Sequence, residues 1–187
     1  MSNILNKIIT DYRSGFLSTP NIQILDKTLS DEIIKFPSKL MVDTVLAEAT
    51  FKNSRLINMQ FINVDLEFSY FENCIFENCI FENIIFQMAE FENCIFKNCQ
   101  FSYCNFSEVE AIKITFNECK FLKCNFSSAS FESCHFIQSM SENIQNNGFL
   151  ATLLIDSKFS NSKKSIEFEG RVLFEDIVDQ ISNFYLD

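Results

Sequence analysis

The sequence contains few of the residues on which most catalytic sites depend. Its 187 residues include one histidine, three glycines, two prolines and no tryptophan. Phosphate-binding loops and dinucleotide-binding turns require closely spaced glycines, which this chain lacks. A Ser–His or Cys–His catalytic pair could use only His135, at an outward position where we expect a solvated side chain. We therefore expect a protein that is not an enzyme and that binds no cofactor or metal ion.

Long apolar runs and an excess of positive charge are also missing. A membrane-spanning helix needs roughly 20 consecutive apolar residues, and the longest run, near residues 149–155, is much shorter. The amino terminus does not have the pattern of a secretory signal, so we expect a cytoplasmic protein with reduced thiols. The 15 Lys and Arg against 25 Asp and Glu give a net charge of −10. This charge argues against direct binding to nucleic acids or to anionic membranes.

Phenylalanine and cysteine are abundant, and both follow a repeat of five residues. Of the 18 positions at five-residue intervals from 51 to 136, which we call position i, 15 are Phe. All eight cysteines lie at position i−2, and Asn is frequent at i+2. A period of five fits neither the 3.6 residues of a helix nor the 2 of a strand. Two restricted positions in five, one large and one small, indicate a chain that turns a corner after every pentapeptide.

The sequence resembles the pentapeptide-repeat family in runs such as FENCI FENCI FENII and FKNCQ FSYCN FSEVE. The resemblance implies a right-handed, four-sided β-helix with one pentapeptide on each side and four in each coil. The family motif has a small residue at i−2, Asp or Asn at i−1, and Leu or Phe at i. Positions i and i−2 match, whereas i−1 departs, for example at Ile75 and His135. We therefore predict an all-β solenoid of about 4.5 coils over residues 46–140.

The four-sided coil predicts that residues 20 apart stack along its axis. Large Phe rings would then form ladders inside the coil, with cysteine as a compact buried spacer between them. The C-x4-C spacing differs from that of metal-binding cysteines, and stacked parallel thiols are too far apart for disulfides. The predicted core includes Phe71, Phe76, Phe81, Phe86, Phe91, Phe96, Phe101, Phe106, Cys79, Cys99 and Cys119.

Both ends of the chain lack the regular repeat and are predicted to form helical caps. Residues 1–45 contain apolar residues at helical spacing from Ile4 to Tyr12, and a second short helix is predicted between Ser30 and Pro37. Residues 141–187 are predicted as a loop, a partial coil in a shifted frame, and an amphipathic helix. The partial coil would contain Phe149, Leu154 and Phe159, and the helix would present Leu173, Phe174, Ile177, Val178, Ile181 and Phe184 on one face. This helix would either cap the last coil or form a homodimer.

Two groups of outward residues are candidates for partner binding. The first comprises the carboxylates Glu72, Glu90, Glu92 and Glu110, which with Glu132 would form an acidic wall. The second comprises the apolar residues Phe68, Ile75, Ile80, Ile85, Met88 and Ile95, at positions where a β-helix does not require them. The apolar group could contact a partner or pack under the amino-terminal segment, and the sequence leaves both open.

Three functions are compatible with these features and with the resemblance. The protein could be an immunity-type protein that binds and neutralises a basic toxin domain. It could instead resemble the family members that mimic duplex DNA and protect topoisomerases. A structural scaffold without a dedicated target is the third hypothesis. The net charge of −6 over residues 46–140 is modest for a DNA mimic, so we favour the first hypothesis.

Overall fold

The computed structural model describes residues 23–25, 28–30, 40–139 and 147–186, with side chains described for 46–139 and 147–184. These residues form a parallel β-solenoid of about five turns that ends in one helix. Strands 20 residues apart pair in parallel, for example through Phe71 and Phe91. Since four pentapeptides complete one turn, the solenoid has four faces, which we name A, B, C and D in chain order.

Faces A and B belong to one sheet and share a long strand near the carboxyl end. Face A contains β1 (Gln23–Leu25), β4 (Thr50–Lys52), β7 (Tyr70–Glu72), β10 (Glu90–Glu92), β13 (Glu110–Ile112) and β16 (Ser130–Glu132). Face B contains β2 (Thr28–Ser30), β5 (Arg55–Ile57), β8 (Ile75–Glu77), β11 (Ile95–Lys97), β14 (Thr115–Asn117) and β17 (His135–Ile137). The shared strand, β18 (Leu153–Ser160), pairs with both β16 and β17.

Faces C and D complete the coil. Face C contains β3 (Leu40–Val45), β6 (Gln60–Asp65), β9 (Ile80–Glu82), β12 (Gln100–Ser102) and β15 (Lys120–Leu122). Face D is held by single bridges that join Asp65, Ile85, Asn105, Asn125 and Gly148 in turn. The chain ends with β19 (Ser165–Leu173), which is antiparallel to β18, and with α1 (Phe174–Leu186).

The core is built from the two restricted positions of the repeat. Positions i and i−2 are buried in every pentapeptide from 46 to 139, and this includes all the predicted core residues. The ring of Phe71 stacks on Phe51 at 4.7 Å and on Phe91 at 4.6 Å, and it meets Phe76 edge-on at 5.8 Å. Phe71 is thus stacked along the axis and edge-on across the corner, which are the two favourable aromatic geometries.

The four corners are not equivalent, and the cysteines distinguish them. At the corner from face D to face A, the i−2 amide closes a turn, as Ala89 N–H does to Phe86 O at 2.9 Å. At the other three corners, this amide donates to the i−2 side chain of the next coil where that side chain can accept a hydrogen bond, as Cys119 N–H does to Ser139 Oγ at 3.0 Å. All eight cysteines lie at these three corners. The thiols accept hydrogen bonds from such amides and donate to carbonyl oxygens. Cys99, for example, accepts from the Cys79 amide and donates to Phe76 O at 3.5 Å.

All eight cysteines are free, buried thiols. Burial raises the pKa of the Cys134 thiol to about 12. A hydrogen bond with Cys99, together with burial, raises the pKa of Cys79. A protonated thiol can donate to a carbonyl, and these raised pKa values agree with the bonds from Cys79 to Leu56 O and from Cys134 to Ala111 O.

The amino-terminal boundary differs from the prediction. Instead of a helical cap up to residue 45, strands β1, β2 and β3 pair with β4, β5 and β6 and extend the solenoid by one turn. Ile24 and Leu29 keep the spacing of five, but seven extra residues before β3 interrupt the period and hide it in the sequence. The helices predicted at residues 4–12 and 31–37 lie outside the described residues.

The carboxyl end contains the partial coil in a shifted frame. Leu154 and Phe159 pair with residues 23 positions earlier rather than 20, and Phe149 stacks on Phe126 at 5.2 Å. Helix α1 closes the coil, because Phe174 stacks on Phe149 at 4.0 Å. Ile177, Ile181 and Phe184 of α1 are buried with it, and Val178 packs against this core. Leu173 differs from the prediction, since it ends β19 and is 38% exposed.

Candidate protein-binding surface

The outward charges of the solenoid are distributed very unequally. We define the acidic side as faces A and D together with the corner between them. Within residues 46–139 this side has nine carboxylates and one lysine, whereas the remaining surface has three carboxylates and five cations. The nine carboxylates are Glu48, Asp65, Glu67, Glu72, Glu90, Glu92, Glu108, Glu110 and Glu132. A modest net charge of the solenoid therefore conceals a strongly negative side and a weakly positive one.

Face A brings like charges next to one another. Glu72 lies beside Glu92 on paired strands, and Glu90 lies beside Glu110. Adjacent strands are about 4.8 Å apart, and like charges at this separation are unfavourable. Lys52 relieves one of them through an ion pair with Glu72 at 2.7 Å. Among the described residues, Glu90 and Glu110 form no ion pair, so they remain available to a cationic partner.

Tyr70 holds one carboxylate of this face in place. Its hydroxyl donates to Glu92 Oε2 at 3.0 Å, and Lys52 Nζ lies 5.0 Å from the centre of its ring. Burial and the hydrogen bond to Glu92 raise the pKa of Tyr70 to about 12. The phenol thus remains a donor throughout the neutral range, which fixes the orientation of Glu92.

Two apolar side chains lie in the middle of the acidic side. Phe68 and Met88 stack at the corner between faces D and A, in a column where Glu48 precedes them and Glu108 follows them. Their exposed fractions are 51% and 37%, and their φ angles are 56° and 54°. This left-handed backbone is unfavourable for bulky residues, and the exposed side chains regain little burial energy. We call these two residues the apolar pair.

The other apolar candidates lie in different places. Ile75 and Ile95 are neighbours on face B, just past the corner that borders face A, and Ile95 is 41% exposed. Ile85 is also exposed, but it lies at the far edge of face D beside the corner from face C. Ile80 is half-buried on face C, away from the acidic side. The apolar pair is therefore the only candidate apolar group surrounded by carboxylates.

Sequence reasoning missed four carboxylates of this surface, Glu48, Asp65, Glu67 and Glu108, together with Tyr70. Glu48 and Glu108 occupy corner positions, where side chains project outward although they belong to no strand. Tyr70 is a strand residue whose hydrogen bond crosses to the next coil. The repeat contains the signal for Glu48 and Glu108, since both lie in the i+2 column with Phe68 and Met88.

The region around His135 differs from the expected solvated side chain. The ring is half-buried, and its Nε2 lies 2.8 Å from Ser160 Oγ. Burial and the nearby Lys158 lower the pKa of His135. A groove of about 310 Å³ runs beside it, with Asp156 and Glu167 among its lining residues. In the described part of the chain, no group of three His, Cys, Asp or Glu side chains is placed to hold a metal ion.

The part of the chain that the structure describes contains no helix with the length and apolar character required to cross a membrane.

Two models of the pentapeptide-repeat family match consecutive parts of the chain. The model described as "Pentapeptide repeats (8 copies)" matches residues 41–78, and "Pentapeptide repeats (9 copies)" matches residues 76–110. No curated protein shows a significant sequence match.

Solved structures with similarity to the chain include three that are distant in sequence. QnrB1, a plasmid-mediated fluoroquinolone resistance protein, is 12% identical over 72% of this chain and 92% of its own, with a TM-score of 0.27. HetL of Nostoc sp. strain PCC 7120, involved in heterocyst differentiation regulation, is 10% identical over 72% of this chain and 66% of its own, with a TM-score of 0.38. Rfr23 of Cyanothece 51142 is 8% identical over 85% of this chain and 96% of its own, with a TM-score of 0.31. Residues 41–110 therefore match the pentapeptide-repeat family, and the structure folds them as a pentapeptide-repeat β-helix with four pentapeptides per turn.

Proposed function

We propose that this protein is a non-catalytic binding protein whose acidic side docks a basic protein partner. We further propose that it acts as an immunity-type protein, which neutralises a basic toxin domain by covering it. The single observation that carries the proposal is the exposed apolar pair, Phe68 and Met88, at the centre of the acidic side.

The composition of this surface is typical of a protein interface. Interfaces concentrate binding energy in a few central apolar side chains, which charged and polar residues surround. Here the apolar pair lies between Glu48 and Glu108 in its own column, and Glu90 lies beside it on face A. Carboxylates around an apolar centre would attract a basic partner over a distance and fix its orientation. The apolar pair contributes little to folding, because both residues are exposed and in an unfavourable backbone conformation.

The distribution of charge favours this function over mimicry of DNA. Duplex DNA carries phosphates on both strands around its axis, so a DNA-binding groove meets negative charge on more than one side. On this solenoid the five cations Arg55, Lys97, Lys113, Lys120 and Lys123 lie away from the acidic side. A partner that gripped the rod as it grips DNA would meet these cations. A topoisomerase remains the partner expected under the alternative function.

The proposal is tested by affinity capture from a lysate of the source cell with matched variants as bait. Phe68→Asn removes an apolar residue and places the residue that favours positive φ at its corner. Tyr103→Asn makes the same change on the weakly positive side, where Tyr103 has a φ of 55° and an exposed fraction of 52%. Thermal melting of each bait checks that the solenoid is intact.

The expected result is a basic protein that the wild type and Tyr103→Asn retain and that Phe68→Asn loses. The purified partner should be toxic or catalytic alone, and the wild type should inhibit it while Phe68→Asn does not. Capture of a topoisomerase with the same dependence on Phe68 would support the DNA-mimic alternative instead. A partner that all three baits retain equally would refute the acidic side as the binding surface.

A further inference from the structure

The outward residues of the acidic side form columns that run along the solenoid axis. Because strands of successive coils pair in register, each column repeats at the strand spacing of about 4.8 Å. Glu90 and Glu110 form one carboxylate column of face A, and Glu72 and Glu92 belong to the other. A partner element that lies along the axis must therefore match a repeat of about 4.8 Å.

This repeat distinguishes between the possible partner elements. In an α-helix, side chains three and four residues apart on one face are separated by about 4.5 and 6.0 Å along the axis, and those seven apart by about 10.5 Å. Two coil spacings are about 9.6 Å, so a helix keeps three side chains close to three successive coils. In an extended strand, side chains on one face repeat every 6.6–6.8 Å or so, so neighbouring side chains miss neighbouring coils by about 2 Å. A segment that crosses the axis reaches the outward positions of one coil only.

The width of the surface also fits a helix. The two carboxylate columns of face A are two strand residues apart, or about 6.6 Å. The apolar pair borders one column across the corner from face D, and Ile75 and Ile95 border the other across the corner to face B. A helix with its side chains is about 10–12 Å across. It would therefore cover both carboxylate columns and touch the apolar residues at their edges.

From these dimensions we infer that the partner docks through a basic amphipathic α-helix that lies parallel to the solenoid axis. A stripe of Lys or Arg on the helix pairs with the columns of Glu90 and Glu92, and an apolar residue beside the stripe contacts the apolar pair. This inference rests on the proposed function, because it specifies the partner element that occupies the same acidic side.

The inference is tested with synthetic peptides of identical composition and the full-length protein. Peptides about 18 residues long are long enough to form helices. Each peptide contains one proline. The first carries its lysines on one helical face with leucines beside them, and the second distributes the lysines around the helix. The third has the sequence of the first, except that two residues are exchanged so that the proline lies at the centre. Isothermal titration calorimetry gives the affinities, and circular dichroism gives the helicity on binding.

The first peptide should bind at least about tenfold more tightly than the other two, which corresponds to about 1.4 kcal/mol. The double variant Glu90→Lys/Glu110→Lys should lose this binding. Glu82→Lys/Glu118→Lys makes the same change of charge at exposed positions away from the acidic side, and this control variant should still bind the first peptide. Equal affinity for all three peptides would refute the helix, and the acidic side would still stand if Glu90→Lys/Glu110→Lys weakened all three. If both double variants bound like the wild type, the proposed surface itself would be refuted.

The orientation along the axis is tested with a spin label on the protein. All eight native cysteines are buried, so a surface cysteine can be labelled selectively. Glu48→Cys and Ser128→Cys place the label in one corner column, four coils or about 19 Å apart. If the peptide lies parallel to the axis, one label should broaden the NMR lines of residues near one end of the peptide, and the other label should broaden those near the opposite end. Broadening of the same peptide residues by both labels would mean that the helix lies across the axis and would refute the orientation.

Discussion

Replacement of Cys99 tests whether the cysteines act as hydrogen-bonding spacers or only as small apolar residues. The Cys99 thiol is fully buried, donates to Phe76 O at 3.5 Å and accepts the Cys79 amide. Cys99→Ala leaves that amide and that carbonyl without the side chain that bonds them. Cys99→Ser keeps a donor and an acceptor, as Ser139 does for the Cys119 amide in the last coil.

The expected costs follow from these contacts. A buried polar group that loses its partner costs about 1–3 kcal/mol. The Cys79 amide and the Phe76 carbonyl both lose a partner, although local relaxation recovers part of this cost, and the lost packing of the sulfur adds to it. Cys99→Ala should therefore lower the free energy of unfolding by about 3 kcal/mol. Cys99→Ser should cost less than about 1.5 kcal/mol, since the hydroxyl satisfies both groups.

Urea unfolding followed by circular dichroism measures these differences, provided that the three proteins unfold with the same dependence on urea. Ala89→Ser is the matched control, because the Ala89 amide already closes a turn and needs no side-chain acceptor. A hydroxyl there should therefore give no stabilisation. Equal losses for Cys99→Ala and Cys99→Ser would refute the hydrogen-bonding role and leave only packing.

Three further predictions concern the core, face A and the corner. Phe96→Ala should lower the free energy of unfolding by about 3–5 kcal/mol through a cavity in the ring stack, and a loss below about 1 kcal/mol by urea unfolding would contradict this packing. Ultraviolet titration should give Tyr70 a pKa of about 12, and Glu92→Gln should lower it. Because this pKa is raised in the folded state, the stabilisation from Tyr70 holds below pH 10 or so and is lost as the pH rises through the folded value. Phe68→Asn should raise stability by up to about 1 kcal/mol in thermal melting, since Asn accepts the left-handed backbone better than Phe; a destabilised variant would show that Phe68 packs structurally.

The five-residue period was sufficient to predict the faces and the core. A period in side-chain size maps directly onto a coil with one large and one small inward residue per side. The stacks of Phe71 on Phe91 and of Phe76 on Phe96 follow from the 20-residue repeat alone. The period also predicted the partial coil at Phe149, because a shifted frame keeps the spacing of five.

The features that the sequence did not predict depend on backbone geometry. The first turn of the solenoid escaped notice because seven extra residues before β3 interrupt the period. The difference between corners depends on where amide hydrogens point, which side-chain size does not reveal. The cysteines nevertheless carry a signal, since the i−2 residues at every fourth corner are Ala49, Ser69, Ala89, Val109 and Ala129.

The candidate surface was predicted in part. The register placed Glu90 beside Glu110, as the structure does. Sequence reasoning treated Ile85 as part of one apolar patch with Phe68 and Met88, whereas Ile85 lies at the opposite edge of face D. The corner residues add to the concentration of charge on one side, because Glu48 and Glu108 extend the negative charge around the apolar pair.

The most direct test of the proposed binding surface is the affinity of the captured partner for two charge-reversed forms of the protein. Glu90→Lys/Glu110→Lys reverses two carboxylates of face A that form no ion pair with a described residue, and Glu82→Lys/Glu118→Lys makes the same change elsewhere on the solenoid. Calorimetry at low and high salt should show a loss of about a hundredfold or more for the first variant, with little change for the second. The affinity of the wild type should fall as salt rises. Equal affinities for the wild type and both variants would contradict the claim that the acidic side binds the partner.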